Sequence, residues 1–159
     1  MLRAVLAFAI ACAGHSALAF VFSDGDTASC TSKGKPVIEV EGGPGSRVAA
    51  LNRVAVTEKS GDGYIIEWNT ARLSALPQPM HDFLFFHECA HAAVPTQDEV
   101  VANCEGLRMM RAAGRAGFAV ESKLGAFYGP DNAYWSRTLQ CANAPPKAAA
   151  GAEQNATPR

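Results

Sequence analysis

The sequence lacks the features that would indicate a nucleic-acid partner, a membrane domain or a cysteine metal site. Its 14 Lys and Arg against 15 Asp and Glu leave a formal charge of -1 with no basic run, so no nucleic-acid partner is expected. After the first nineteen residues no apolar stretch approaches the length of a membrane-spanning helix. There is no CxxC pair. Of the 159 residues, 48% are hydrophobic and 18% charged, which is typical of one globular domain.

The first nineteen residues have the pattern of a secretory signal peptide. Arg3 supplies the positive charge, residues 4–13 the apolar stretch, and residues 17–19 a small-x-small cleavage site. We therefore expect an exported protein, periplasmic or secreted, whose mature chain begins at Phe20. The apolar run is too short for the alternative of a membrane anchor. Lipidation of Cys12 is a second alternative, which the absence of the usual leucine three residues earlier disfavours.

The end of the chain differs in composition from the rest. Residues 144–159 are rich in Ala, Pro and polar residues without apolar periodicity, which predicts a disordered tail and a folded domain over residues 20–143. Three β-branched segments separated by turn clusters predict a small antiparallel sheet, over residues 36–41, 47–56 and 64–68. Later segments predict helices over residues 70–76, 80–93, 96–113, 118–128 and 132–142. This order of strands and then helices predicts an α+β fold.

The helix over residues 80–93 contains the pattern HExxH at His87, Glu88 and His91. Residues four apart on a helix differ by about 40° in direction, so both imidazoles can bind one tetrahedral zinc ion. Glu88 lies beside them, where a general base could meet a metal-bound water. The alternative is a hydrogen-bonded pair of core histidines with Glu88 as charge partner. We disfavour it because burying three titratable groups on an apolar helix is costly without a metal.

A catalytic zinc ion usually has a third protein ligand and one open position. His81 would lie about 9 Å along the helix from His87, too far to bind the same ion. Glu99 is the preferred candidate, because the proline-containing turn after the HExxH helix brings the next helix back against it. Two alternatives remain open: Glu99 could complete a capping box with Thr96, or Asp98 could be the third ligand.

Asn103 is predicted to lie on the same helix face as Glu99. The small residues Ala102 and Gly106 beside them would allow a close approach of the two helices. Asn103 could then orient one of the histidine ligands. The alternative is an ordinary surface asparagine.

The stretch HECAH followed by DEVVANCEGLRMMRAAG resembles the gluzincin type of zinc metallopeptidase. It is similar, more narrowly, to small exported bacterial proteins of metallopeptidase type that carry HECxH and then ExxADC, over roughly residues 66–141. The resemblance implies a small zincin-like domain and one zinc ion per chain, held by His87, His91 and Glu99, with Glu88 as general base. The sequence departs from the family at Asn103, where Asp is common. An amide can accept the N–H of a histidine but adds no negative charge.

Cys30, Cys89, Cys104 and Cys141 remain after the predicted signal peptide. An even number of cysteines in an exported chain favours disulfides, and four cysteines allow three pairings. The resemblance implies a Cys89–Cys104 bridge between the two ligand helices, which leaves Cys30–Cys141 to join the ends of the domain. The alternative is that each cysteine packs as a small apolar residue.

Together these features predict an exported zinc-dependent peptidase, acting on a peptide or protein substrate, with Glu88 as general base. The strand YIIEW, residues 64–68, could be the edge strand along which an extended peptide pairs. Tyr128, Tyr134 and Arg137 are candidates for stabilising the oxyanion, although a structural role is more typical of each. Two alternatives are a non-catalytic binding module braced by zinc or disulfides, and a chance motif in a helical domain.

Overall fold

The computed structural model describes residues 18–129 and 131–145. Most of the predicted signal peptide and most of the predicted tail lie outside these residues. The strands are β1 Phe20–Val21, β2 Thr27–Ala28, β3 Thr31–Ser32, β4 Lys35–Pro36, β5 Ile38–Glu41, β6 Ala55–Ser60 and β7 Gly63–Trp68. The helices are α1 Arg47–Ala50, α2 Thr70–Leu73, α3 Gln78–Ala93, α4 Glu99–Ala112, α5 Phe118–Tyr128 and α6 Ala133–Asn143. The predicted α+β class is therefore confirmed.

The largest sheet has three strands in the order β5-β7-β6. Strands β6 and β7 form an antiparallel hairpin, with Ser60 opposite Gly63 across a two-residue turn. Strand β5 runs parallel to β7, with Ile38 opposite Ile65, so the sheet is mixed. Because β7 has a partner on both sides, the prediction that residues 64–68 form an edge strand is wrong. Strand β6 lies at the edge instead.

Residues 47–50 form a turn of helix, not the predicted strand. Ser46 caps this helix, since its Oγ accepts a hydrogen bond of 3.3 Å from the main-chain N–H of Ala49. Asn52 then adopts a left-handed conformation with φ of 54°, and β6 begins three residues later. The alternating apolar residues of this segment had suggested a strand, but only Val48 of the helix is buried.

Helix α3 occupies the centre of the domain. As predicted, it is buried on most sides: the buried residues include Met80, Phe83, Phe85, Phe86, Cys89, Ala90 and Ala92. Helix α4 packs along α3, and Gly106 lies at their closest approach, where an added Cβ would be 2.9 Å from the main-chain N of His87. No helix among the described residues has the length and apolarity needed to cross a membrane.

The disulfides are Cys30–Cys89 and Cys104–Cys141. The predicted pairs Cys89–Cys104 and Cys30–Cys141 are therefore wrong. The reason is the direction in which each cysteine faces: Cys89 lies on the side of α3 that packs against β3, and Cys104 on the side of α4 that packs against α6. Each ligand helix is thus tied to a different part of the chain and not to the other ligand helix.

Candidate metal centre

Helices α3 and α4 bring one atom each from His87, His91 and Glu99 to a single point. The two Nε2 atoms of the histidines are 3.2 Å apart. Oε2 of Glu99 lies 3.2 Å from Nε2 of His87 and 3.5 Å from Nε2 of His91. In a tetrahedral zinc site with usual metal–ligand distances, the ligand atoms lie about 3.3 to 3.4 Å from one another. The three atoms therefore have the spacing of three corners of a tetrahedral metal site.

The second ring nitrogen of each histidine is already hydrogen-bonded. Nδ1 of His91 lies 2.9 Å from the main-chain oxygen of Thr96, which can only accept, so this nitrogen carries the proton. Nδ1 of His87 lies 2.7 Å from Oδ1 of Asn103, which is also an acceptor. Both Nε2 atoms then direct lone pairs at the Glu99 carboxylate. Three acceptors that converge without a donor require a cation or added protons between them.

The pKa values of Glu99 and His91 are those of a site that attracts positive charge. The hydrogen-bonding interaction with His87, and next that with His91, holds the pKa of the Glu99 carboxyl well below its usual range. Burial alone lowers the pKa of His91, but the hydrogen bond to Glu99, followed by that to the Thr96 carbonyl, raises it overall. The group therefore attracts a proton when no metal is bound, and a metal ion must compete with that proton.

The contacts of Asp98 decide between the alternative roles predicted for Asp98 and Glu99. Its Oδ1 accepts hydrogen bonds from the main-chain N–H groups of Val100 at 2.8 Å and Val101 at 3.2 Å, so it is the N-cap of α4. Thr96 accepts from the Asp98 N–H at 3.0 Å and forms no capping box with Glu99. Because Asp98 caps the helix, the Glu99 carboxylate is available to the histidines.

Asn103 is only 1% exposed and is hydrogen-bonded to His87, so it is not the surface asparagine of the alternative interpretation. Its Nδ2 atom is buried and has no hydrogen-bond partner among the described residues. Burial raises the pKa of the nearby Tyr128 phenol to about 12, although the Asn103 amide acts to lower it. The contact between this amide and Tyr128 falls short of a hydrogen bond. An orphaned buried N–H is costly, and an aspartate would not contain one.

Glu88 lies at the same site and its carboxylate is held by a residue that the sequence did not suggest. Oγ1 of Thr57 lies 2.6 Å from Oε2 of Glu88 and 3.0 Å from the main-chain oxygen of Glu88. A hydroxyl has one hydrogen and can also accept, so Thr57 can donate to the ionised carboxylate or accept from the protonated one. No local pattern predicts this contact, because it joins residues 31 apart in sequence.

Arg53 is a second unpredicted neighbour. Its Nη1 lies 3.5 Å from Oε1 of Glu99, the oxygen that does not face the histidines. One oxygen of this carboxylate therefore faces the guanidinium, and the other faces the candidate metal position.

The ligand group opens into a cleft of about 470 Å³. Its lining residues come from α1, the following loop, β6, α3, the turn after α3 and the start of α4: Arg47, Leu51, Arg53, Ala55, Val56, Thr57, Glu58, Lys59, His87, Glu88, His91, Gln97 and Glu99. Neither tyrosine predicted for the oxyanion, nor Arg137, is among these described lining residues. Tyr128 stacks on Trp135 with ring centroids 5.2 Å apart, and burial, followed by the charge of Glu99, raises the pKa of Tyr134 to about 12.

No protein-family model matches the chain, and neither a curated protein nor a solved structure matches it. What the structure shows at this site is a His-His-Glu group that could hold a metal ion.

Proposed function

We propose that the protein is an exported zinc-dependent peptidase of the gluzincin type. The observation that carries this proposal is the convergence of His87, His91 and Glu99 at the wall of an open cleft, with the carboxylate of Glu88 beside them. Two imidazoles and one carboxylate are a donor set that catalytic zinc sites use, whereas calcium and magnesium prefer oxygen ligands only. One zinc ion per chain, when bound, supplies Lewis acidity toward water and the substrate carbonyl.

Glu88 is the proposed general base and acid. It takes a proton from the attacking water and returns that proton to the leaving amine. The contact with Thr57 keeps the carboxylate in place in both protonation states, because the hydroxyl can donate or accept. His87 and His91, with their Nδ1 protons fixed by Asn103 and Thr96, remain available as metal ligands.

Strand β6 is the proposed binding edge for an extended peptide. In an antiparallel ladder that starts at a two-residue turn, Ser60 and Gly63 form a hydrogen-bonded pair, so the main-chain groups of Thr57 and Lys59 point away from β7. A substrate can pair with these groups as an added strand. Its scissile bond then lies near Glu88, because Thr57 contacts that carboxylate.

Export is supported by the two disulfides, which are typical of oxidising compartments, together with the N-terminal signal pattern. Sequencing the N-terminus of the protein recovered from a secreting host tests this part of the proposal. A mature chain that begins at Phe20 is expected, and a retained N-terminus would contradict export by cleavage.

The direct test combines zinc analysis with a peptide-library digest of the parent chain, Glu88→Gln and Glu99→Ala. We expect about one zinc per parent chain, and we expect Glu88→Gln to keep its zinc while cleavage falls at least about a hundredfold. Glu99→Ala should weaken zinc binding by at least about tenfold. Glu105→Gln is the matched control, because Glu105 is on α4 but pairs with Arg108 at 2.6 Å. A parent chain that binds no zinc would refute the proposal.

A second candidate function is a non-catalytic module in which zinc only braces the fold. Asn103 favours it, since an amide beside His87 adds no negative charge to the site. Zinc binding without cleavage of any library peptide, in both the parent and Glu88→Gln, would support this second candidate over the first.

A further inference from the structure

A second pocket, of about 410 Å³, lies next to the cleft at the far end of β6. The turn between β3 and β4 forms one wall, and the turn between β6 and β7 forms another. Three lysines line it, namely Lys33, Lys35 and Lys59, while Asp62 is the one acidic residue among its described lining residues. We call it the lysine pocket. It brings together three cations from two segments that are distant in sequence.

The positive charge of the lysine pocket exceeds its negative charge, because Asp62 is the one acidic residue among the described residues that line it. Within residues 18–129 and 131–145, none of the three lysines forms an ion pair, whereas in the adjacent cleft Arg47 pairs with Glu58 at 3.4 Å and Arg53 with Glu99 at 3.5 Å. The whole chain contains five lysines and has a formal charge of -1. Three of those five around one pocket produce a local positive field that favours an anionic ligand.

The main-chain conformation of the turn that carries Lys33 also favours a binding role for this lysine. Lys33 has a left-handed conformation with φ of 51°, followed by Gly34 with φ of 75°. Asn, Asp or Gly is usual at the first of two such positions, because Gly has no Cβ to clash there and the side chains of Asn and Asp can hydrogen-bond locally. A lysine at this position favours a role for its side chain beyond forming the turn.

Lys59 connects the lysine pocket to the candidate metal centre, since it lines both the pocket and the cleft. It lies two residues along β6 from Thr57, which contacts Glu88. Two residues of a strand span about 6.8 Å. A peptide paired with the free edge of β6 would therefore place its side chains in the lysine pocket when its scissile bond lies near Glu88.

We propose that the lysine pocket binds acidic side chains of the substrate, so that the protein prefers peptides with Asp or Glu on one side of the cleaved bond, about two to four residues away. This inference rests on the proposed peptidase function, and it names the class of substrate that this function acts on.

The test uses the full chain and a triple charge reversal, Lys33→Glu with Lys35→Glu and Lys59→Glu. A synthetic peptide library is digested and the cut sites are read by mass spectrometry. In the parent we expect Asp and Glu to be enriched on one side of the cut. The triple variant should reduce kcat/KM for acidic peptides about tenfold, mainly through KM, and favour Lys and Arg at the same positions. Lys123→Glu is the matched control, because Lys123 is exposed on α5, away from both pockets.

A binding experiment separates failure of this inference from failure of the proposed function. Fluorescence anisotropy of a labelled Glu-rich peptide is measured with zinc-loaded Glu88→Gln, with and without the triple reversal. Loss of binding on reversal supports the acidic ligand even if the parent cleaves nothing, in which case only the peptidase proposal fails. Cleavage without an acidic preference, or binding that the reversal leaves unchanged, overturns the lysine pocket as a substrate site. Equal competition by inorganic phosphate would also overturn it, because the pocket would then recognise charge without a peptide.

Discussion

The hydroxyl of Thr57 determines where the Glu88 carboxylate lies. It is 2.6 Å from Oε2 of Glu88, a distance typical of a strong hydrogen bond to a charged oxygen. A general base must stay within reach of the proton that it takes and must not move away after accepting it. In the proposed peptidase, Thr57 would therefore be a positioning residue that acts through Glu88.

Thr57→Val should separate this positioning role from a general role in stability. Loss of a hydrogen bond to a charged group should lower kcat about tenfold to a hundredfold, with KM and zinc content nearly unchanged. Thr57→Ser keeps the hydroxyl and should restore kcat to within about threefold of the parent. Steady-state kinetics and metal analysis check this. Equal losses in both variants would show that the methyl group, and not the hydroxyl, matters.

Asn103→Asp should strengthen zinc binding. The substitution removes the orphaned Nδ2 and gives His87 a charged acceptor, which raises the basicity of its Nε2. We expect an increase in zinc affinity on the order of tenfold, measured by competition with a chelator. Asn103→Leu is the opposing variant and should weaken binding. If Asn103→Asp bound zinc no better than the parent, burial of the added charge would outweigh its benefit.

At the scale of elements, the approach of α4 to α3 depends on one missing side chain. A Cβ on Gly106 would lie 2.9 Å from the main-chain N of His87 and 3.0 Å from the main-chain carbon of Phe86. These are main-chain atoms, so they cannot move aside as a flexible side chain would. The position of Glu99 relative to the histidines is thus fixed by the packing of the two helices as well as by the turn between them.

Gly106→Ala should destabilise the protein, although alanine usually stabilises a helix relative to glycine. Overpacking should lower the free energy of unfolding by about 1 to 3 kcal/mol and should weaken zinc binding by moving α4. Urea unfolding and zinc titration measure the two effects. Gly43→Ala is the control, since no described heavy atom beyond its chain neighbours lies within 4 Å of its added Cβ. A Gly106→Ala variant as stable as the parent would contradict the close approach.

Local signals predicted some elements better than others. Helix α5 has its predicted bounds because Gly117 and Gly129 stand at its two ends. The helical turn at residues 47–50 was missed because alternating small and apolar residues also fit a strand. The parallel pairing of β5 and the two disulfides depend on contacts between distant segments. The composition of a strand does not specify which strand it pairs with, and the spacing of cysteines does not specify which of them are bonded.

The candidate site was more predictable than the sheet. His87, Glu88 and His91 follow from helix periodicity, and Glu99 follows from the short turn that reverses the chain. Their positions are local consequences of one continuous stretch. Thr57 reaches the site from another element, so its role depends on tertiary packing that no short pattern records.

At the scale of the whole molecule, stability should depend on pH through Glu39. This side chain is only 1% exposed, and its carboxylate accepts hydrogen bonds from Trp68 Nε1 at 3.1 Å and from the Cys30 N–H at 3.4 Å. Burial raises its pKa, more than these two hydrogen bonds lower it. Because the folded pKa is the higher one, the stabilising contribution is complete below the unfolded pKa and is lost as pH rises through the folded pKa.

Glu39→Gln should therefore remove one component of the pH dependence of unfolding. Relative to this variant, the parent should lose stability as pH rises above the ordinary glutamate value of about 4.3. Urea unfolding from about pH 4 to about pH 8 measures the difference. Glu41→Gln, an exposed carboxylate on the same strand, is the control. A difference between parent and Glu39→Gln that stays constant over this range would contradict the buried charge as its source.

The two disulfides also determine what a metal ion contributes to folding. They join residues 59 and 37 apart in sequence, whereas a bound metal would join His87, His91 and Glu99, which lie within twelve residues of one another along the chain. The restriction that a cross-link places on the unfolded chain grows with loop length, so a metal would restrict the unfolded chain less than either disulfide does. The chain should therefore stay folded without metal, and its site should be one that can be emptied and refilled without refolding the domain.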